Sequence, residues 1–228
     1  MKYLHALAAA SAMCAIAVCP ISASALAPRP KPVVVTTDTS QVPNDAAWAA
    51  MAQKLVEKWY PKVAKLLATP GFTPPGEVHL LFVKDMKGVA YTAGTTIHIA
   101  AHWIEQHPED KGMVIHEMTH VVQQYPTYDP SWLVEGIADW VRFFVYEPKA
   151  KLPPINPQRA HYTDAYKTAA AFLAWIQKAH HVNIALKMNA ALRSNTYTPD
   201  LWKDDTGMSL DDLWQEFIQK GNLATGGR

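Results

Sequence analysis

His116-Glu-Met-Thr-His120 stands near the middle of this 228-residue sequence, inside a largely apolar stretch. The apolar spacing predicts a helix from about Glu109 to Gln124. Four residues advance a helix by about 400°, so the two imidazoles lie on one face, roughly 6 Å apart. Two imidazoles in that arrangement can bind one zinc ion. A surface helix with two solvated histidines is the alternative, and it fits poorly because polar groups on a buried helix need partners.

Glu117 stands next to the first histidine and projects from nearly the same face of this predicted helix. It is close enough to reach a water molecule on the metal without being a ligand itself. A carboxylate in that place can take a proton from the attacking water and deliver it to a leaving amine. We therefore predict hydrolysis of an amide bond by a zinc-activated water, with Glu117 as the general base and one zinc ion per chain.

A second helix is predicted from about Pro130 to Tyr146, and its polar residues form one stripe. Glu135, Asp139 and Arg142 occupy positions i, i+4 and i+7 of that helix. A catalytic zinc site uses three protein ligands and keeps one open position, so Glu135 is the predicted third ligand. Asp139 is predicted to accept the outer N–H of a ligand histidine. For Arg142 we favour an ion pair, with Asp139 as its candidate partner, over binding of a substrate carboxylate.

Residues 1–25 have the three parts of a secretory signal peptide. Lys2 is followed by an apolar run from Leu4 to Val18, and small residues precede Ala25. We predict cleavage after Ala25, a short tether at residues 26–32 and a single domain at residues 33–228. The protein is therefore expected to be exported, either to the periplasm or to the extracellular medium.

The cysteines and the charge balance limit what the mature chain can bind. Cys14 and Cys19 both fall within the predicted signal peptide, so no disulfide and no thiolate ligand is expected. Removing Lys2 from the 21 Lys and Arg residues leaves 20, equal to the 20 Asp and Glu residues. A neutral chain gives no electrostatic reason to expect nucleic acid or an anionic membrane as a partner. We predict a monomer with no nucleic-acid partner and no stable membrane association after cleavage.

The first half of the chain contains the predicted strands, and the second half is helical. A strand is predicted from Pro32 to Thr37, followed by a helix that Asn44 caps and Pro61 ends or kinks. Further strands are predicted at Val78–Val83 and Thr95–Ala100. Beyond residue 146, helices are predicted near Asp164–Ala179, Asn183–Ser194 and Asp211–Lys220. The predicted fold class is α+β: a small twisted sheet with a front helix, an active-site helix and a helical C-terminal half.

Two runs, Gly112–Gln123 and Trp132–Asp139, resemble the basic secretory protein family, the peptidases of plants and bacteria. The likeness also includes Trp59–Pro61, Gly94–Ile97, His107–Asp110, Tyr166–Trp175 and Asp212–Trp214. The resemblance implies a zincin-like fold for residues 33–228, secretion, and metallopeptidase activity. The gluzincins share a Glu-x-x-x-Asp arrangement on a second helix, which Glu135 and Asp139 match. The mature chain is neutral, so the family's basic character does not carry over to it.

The zincin-like fold implies where a substrate would bind. In such folds an edge strand before the active-site helix faces the cleft and pairs with the substrate backbone. The alternating strand at Thr95–Ala100 has that place in the sequence, so Thr95, Thr96, Ile97 and His98 are predicted to bind substrate. Backbone pairing suits any extended chain, which favours an endopeptidase over an enzyme that trims chain ends.

The oxyanion formed during hydrolysis needs a hydrogen-bond donor besides zinc. Tyr162 and Tyr166 lie at the start of a predicted helix that can return over the site. Either phenol is a candidate donor, and a position in the core is the alternative for both.

The sequence thus predicts a secreted zinc-dependent peptidase that acts on a peptide or protein. One alternative is a binding protein on a zincin scaffold, with a structural zinc, that recognises a glycan or peptide. An intact Glu117 argues against it, because a structural metal site has no use for an uncoordinated carboxylate. The other alternative is a zinc amidase that acts on cell-wall peptide, which the local sequence does not separate from a peptidase.

Overall fold

A computed structural model describes residues 32–221, in which a four-stranded mixed sheet precedes a helical half. The strands are β1 (Val34–Asp38), β2 (Glu77–Val83), β3 (Ala90–Ala93) and β4 (Thr96–Ala100). Their order in the sheet is β1-β2-β4-β3. β1, β2 and β4 are parallel, whereas β3 runs antiparallel to β4 and forms one edge of the sheet.

The front helix α1 (Ala46–Leu66) packs against the sheet and against the helix that carries the two motif histidines. Its start differs from the prediction, because a short 3₁₀ turn at Pro43–Asp45 contains Asn44, which is therefore not the cap. Pro61 was expected to end or kink this helix, and it does not end it, because the helix continues to Leu66. Proline removes one backbone hydrogen bond, but Val63 and Leu67 beyond it are fully buried in the core, which favours continuation of the helix.

The helical half begins directly after β4. Its helices are α2 (Ala101–Gln106), α3 (Gly112–Gln123), α4 (Ser131–Trp140), α5 (Tyr166–His180), α6 (Ile184–Arg193), α7 (Asp200–Thr206) and α8 (Leu210–Glu216). α4 continues into a π-helical turn, Val141–Tyr146, so the predicted helix at 130–146 has the right extent. α3 begins three residues later than predicted, where Asp110 Oδ1 accepts a hydrogen bond from Met113 N at 3.3 Å. The predicted α+β class is confirmed, whereas β3, α2 and α7 were not predicted.

α4 and α5 approach each other closely at a glycine. A Cβ added to Gly136 would lie 2.7 Å from Ala169 Cβ, well inside normal carbon–carbon contact. Glycine inside a helix is unfavourable by about 1 kcal/mol relative to alanine, and the close packing accounts for its presence here.

We expect Gly136→Ala to destabilise the protein by about 1–3 kcal/mol, because the two helices must separate to admit the methyl group. The free energy of unfolding, measured in urea, tests this. The double variant Gly136→Ala/Ala169→Gly moves the methyl group from one helix to the other and should return close to native stability. A single variant that is more stable than the native chain would contradict the packing described here.

Two of the sequence predictions concern residues outside the described range. The predicted signal peptide at residues 1–25 lies wholly outside it, as does nearly all of the predicted tether. Within residues 32–221, no helix combines the length and the apolar character needed to cross a membrane.

Candidate metal centre

Three ligand atoms from α3 and α4 meet at one point. His116 Nε2 lies 3.1 Å from His120 Nε2 and 3.0 Å from Glu135 Oε2, and His120 Nε2 lies 3.6 Å from Glu135 Oε2. Ligands about 2.0–2.1 Å from a tetrahedral zinc ion are about 3.3–3.4 Å apart, so this spacing suits one metal ion. Within the described part of the chain, His116, His120 and Glu135 are the only group of three or more His, Cys, Asp and Glu residues that could hold a metal.

Each imidazole forms a hydrogen bond through Nδ1, the ring nitrogen that faces away from the converging atoms. His116 Nδ1 donates to Asp139 Oδ1 at 2.7 Å, and His120 Nδ1 donates to Gln123 Oε1 at 2.7 Å. Gln123 Nε2 donates to Val134 O at 3.0 Å, which fixes the orientation of the amide. Because each Nδ1 donates to an acceptor, each Nε2 can, once it carries no proton, direct a lone pair to the point that Glu135 Oε2 also faces. Three converging electron pairs repel one another unless a positive charge lies between them, so these residues fit a cation.

The titration properties of the site reflect the same concentration of negative charge. Burial lowers the pKa of His116, but hydrogen bonds to Asp139 and Glu135 outweigh it and raise the pKa to about 10. Burial raises the pKa of Glu135, but hydrogen bonds from His116 and His120 outweigh it and lower the pKa to about 2. Both shifts stabilise the charged form of the residue, because a proton between His116 and Glu135 supplies the positive charge that a bound metal ion would supply in its place.

Glu117 is buried beside the ligands without belonging to them. Its Oε2 accepts a hydrogen bond from Thr92 Oγ1 at 2.8 Å, and Thr92 lies on β3. Thr92 is not among the predicted site residues, because this short strand was not predicted from the sequence. Glu117 therefore has an oriented carboxylate beside the ligand group, in the position that was predicted for a general base.

A cavity of about 1110 Å³ opens over the three residues that could hold a metal, and we call it the metal cavity. Its walls include His116, Glu117, His120 and Glu135 together with residues of β3, the loop before α4 and the start of α5. Three large apolar side chains that stay about half exposed also line it: Tyr91, Tyr128 and Tyr166. Exposed aromatic residues gathered around a cavity are typical of a binding site.

Of the two candidate oxyanion donors, the structure brings only Tyr166 to the metal cavity. The Tyr166 ring lies 6.1 Å from the His116 ring, centroid to centroid. The negative charge of Glu135 raises the pKa of Tyr166, so its phenol keeps the proton that a donor needs. Tyr162 instead packs against Trp132 and donates to Asp211 Oδ1 at 2.9 Å. Burial, together with Asp211, raises the pKa of Tyr162 to about 12.

Arg142 lines the metal cavity but does not pair with Asp139, which corrects that prediction. Its Nη2 donates to Asp110 Oδ1 at 2.6 Å, and its Nε lies 3.6 Å from Glu147 Oε2. Asp139 is already the acceptor for His116, which leaves Asp110 as the nearer acid for the guanidinium. An ion pair for Arg142 was the right expectation with the wrong partner.

The predicted substrate strand is also corrected. β4 carries Thr96, Ile97 and His98, and it is paired with β2 on one side and β3 on the other, so it has no free edge for a substrate. Neither Thr95 nor any of these three residues lines the metal cavity, whereas Ala90, Tyr91 and Thr92 of β3 do. The edge strand next to the active-site helix is therefore β3.

The C-terminal end of α3 is held by a residue that no local pattern identifies, Arg193. At its C-terminal end, Arg193 Nη2 donates to Val122 O at 3.1 Å and Arg193 Nε donates to Gln123 O at 3.3 Å. Arg193 Nη1 also donates to Leu67 O, at the end of α1. One guanidinium thus satisfies carbonyl groups at the C-terminal ends of two helices, and one of these helices carries both histidine ligands.

Comparison with known proteins gives one finding. A family model described as "peptidase of plants and bacteria" matches residues 36–217, which is most of the chain. No curated protein and no solved structure gives a significant match.

Proposed function

The chain belongs to the peptidases of plants and bacteria, and from that premise we propose that it is a zinc-dependent endopeptidase. A peptidase family implies a peptide or protein as the substrate. The observation that carries the proposal is the convergence of His116 Nε2, His120 Nε2 and Glu135 Oε2 on one point. Glu117 stands beside that point with a carboxylate that is not a ligand.

The set of ligand atoms supports zinc as the metal. Two imidazole nitrogens and one carboxylate oxygen are a usual set for catalytic zinc, whereas magnesium and calcium prefer oxygen ligands alone. Three protein ligands leave one position for a substrate or a water molecule. When bound, zinc supplies Lewis acidity, which makes water more acidic and a carbonyl group more electrophilic.

The side chains of the protein supply the proton transfer and the hydrogen bonding. Glu117 accepts a proton from the attacking water and passes it to the leaving amine nitrogen. Thr92 holds the Glu117 carboxylate in one orientation through the 2.8 Å hydrogen bond. Tyr166, at the edge of the metal cavity, donates its phenolic proton in a hydrogen bond to the oxyanion that develops on the substrate carbonyl.

The free edge of β3 supports cleavage within an extended chain. Ala90, Tyr91 and Thr92 line the metal cavity on a strand that pairs with β4 on one side only. An extended segment from any position along the substrate can pair with that edge through its backbone, so no chain end is needed. The alternative anchor for a chain end, Arg142, is engaged by Asp110 and Glu147.

Export completes the proposal and depends on the sequence of residues 1–25. N-terminal sequencing of the exported chain is expected to begin at Leu26. A mature protein that retains the first 25 residues would contradict export by a cleaved signal.

The central test uses an internally quenched peptide that is blocked at both ends. We expect the purified chain to cleave it, to lose activity when a chelator removes the metal, and to regain activity with one zinc ion per chain. Single-residue amino-terminal and carboxy-terminal substrates serve as matched controls and should be poor. Preference for a free terminus would overturn the endopeptidase assignment alone. Activity that survives complete metal removal would overturn the metal mechanism, and tight peptide binding without cleavage would favour a binding protein.

A further inference from the structure

Two consecutive residues at the start of α5 have backbone angles that L-amino acids rarely adopt. Ala165 has φ 58° and ψ −161°, and Tyr166 has φ 46°. The angles of Ala165 belong to a region populated almost only by glycine, because a Cβ meets the neighbouring peptide groups there. Neither residue is glycine, so the Ala165–Tyr166 turn is strained and the surrounding structure must hold it.

The segment before the turn is fixed. His161 N donates to Asp164 Oδ2 at 2.7 Å, and the Tyr162 hydroxyl donates to Asp211 at 2.9 Å. Ala165 N donates to Tyr162 O at 3.3 Å, which joins the turn to this anchored segment.

The segment after the turn is fixed as well. Ala165 O accepts from Ala169 N at 3.2 Å, within the first turn of α5. Ala169 packs against Gly136 of α4, and Phe172 is fully buried. The chain can therefore change direction between the two anchored segments only at Ala165 and Tyr166.

The change of direction separates two tyrosines that lie four residues apart. Tyr162 points into an aromatic cluster with Trp132 and Trp214, whereas Tyr166 lies over His116 and lines the metal cavity. Tyr166 remains about half exposed, so burial of its ring does not account for the strain. Strained backbone that persists beside a binding site is commonly kept because it orients a functional group.

We propose that the strained Ala165–Tyr166 turn is a positioning element that holds the Tyr166 phenol over the metal ligands, and that the protein is less stable because of it. This inference rests on the proposed function, since Tyr166 is taken to act on the substrate. Ala165 does not touch the substrate in this proposal and acts only through Tyr166. Relief of the strain should therefore make the chain more stable and the enzyme slower.

The test compares Ala165→Gly, Tyr166→Phe and the double variant with the native chain, using melting temperature and the kinetics of the blocked peptide. Ala165→Gly should raise Tm by about 2–4 °C and lower kcat by about tenfold, with KM little changed. Tyr166→Phe should lower kcat by about 10²-fold. In the Tyr166→Phe background, Ala165→Gly should not lower kcat further, because the phenol that it positions is absent.

His181 provides the matched control at the other end of α5. It is exposed and has φ 56°, so His181→Gly also relieves a positive φ, but away from the metal cavity. This variant should raise Tm without changing kcat. A lower Tm in Ala165→Gly, an unchanged kcat, or an equal loss of kcat with and without the phenol would each overturn the inference alone. A native chain that cleaves no peptide would overturn the proposed function, and the inference with it.

Discussion

Replacing Glu117 with Gln is expected to leave one metal ion bound and to lower turnover by at least ~10³-fold. Glu117 is not one of the three residues whose ligand atoms converge, so replacing its carboxylate with the Gln amide should not disturb metal binding. An amide has nearly the same shape as a carboxylate but cannot accept a proton from the attacking water at neutral pH. The loss should therefore appear in kcat.

Metal analysis and peptide kinetics on the same preparation of Glu117→Gln provide the measurement. Glu109→Gln is a matched control, because Glu109 precedes the same helix and its side chain is 77% exposed. That variant should keep native activity. If Glu117→Gln binds one metal ion and still cleaves the peptide at a native rate, Glu117 is not the base.

Replacing Glu135 with Ala is expected to abolish metal binding, whereas Asp139→Asn should weaken it by only ~10–100-fold. The Glu135 oxygen is one of three atoms around the metal position, and its loss leaves two imidazoles with no carboxylate. Asp139 contacts the outer nitrogen of His116 at 2.7 Å. Asparagine retains an acceptor oxygen there and removes only the charge.

Competition with a chromogenic chelator gives the metal affinity of both variants without reference to activity. Circular dichroism of the metal-free chains verifies that each variant is folded. If Asp139→Asn loses more affinity than Glu135→Ala, the roles of ligand and supporting acceptor have been assigned in the wrong order.

The groupings of side chains that the sequence predicted and the structure also shows depend on spacing within one helix. His116, Glu117 and His120 share a face because of the helical repeat, and the same repeat relates Glu135 to Asp139. Local periodicity fixes such relations before any tertiary contact forms. Which helix faces which is not fixed in this way. The polar stripe of the second helix led to Glu135 as the third ligand, and the family resemblance agreed with that choice.

The predictions that were wrong concern two kinds of feature. One is contact between segments that are distant in sequence, and the other is backbone geometry that the residues do not favour. β3 is four residues long and lacks a strong alternating pattern, so β4 was taken for the edge strand. The choice between Tyr162 and Tyr166 depends on an alanine in a conformation typical of glycine, which no propensity indicates. Arg142 stands close to Asp139 in sequence, but the acid to which it donates a hydrogen bond, Asp110, lies 32 residues away, in the loop before α3.

The long-range contacts of Arg193 imply an order of assembly for α3. Arg193 binds the carbonyl group of Gln123, which lies 70 positions earlier in the chain, and that of Leu67, which lies 126 positions earlier. As the chain emerges during synthesis, the last turn of α3 lacks these donors until most of the sequence has followed. Closing loops of this length costs conformational entropy and slows folding. The last turn of α3 therefore gains these hydrogen-bond donors only after the segment around Arg193 has docked, and a chain that ends before Arg193 lacks them altogether.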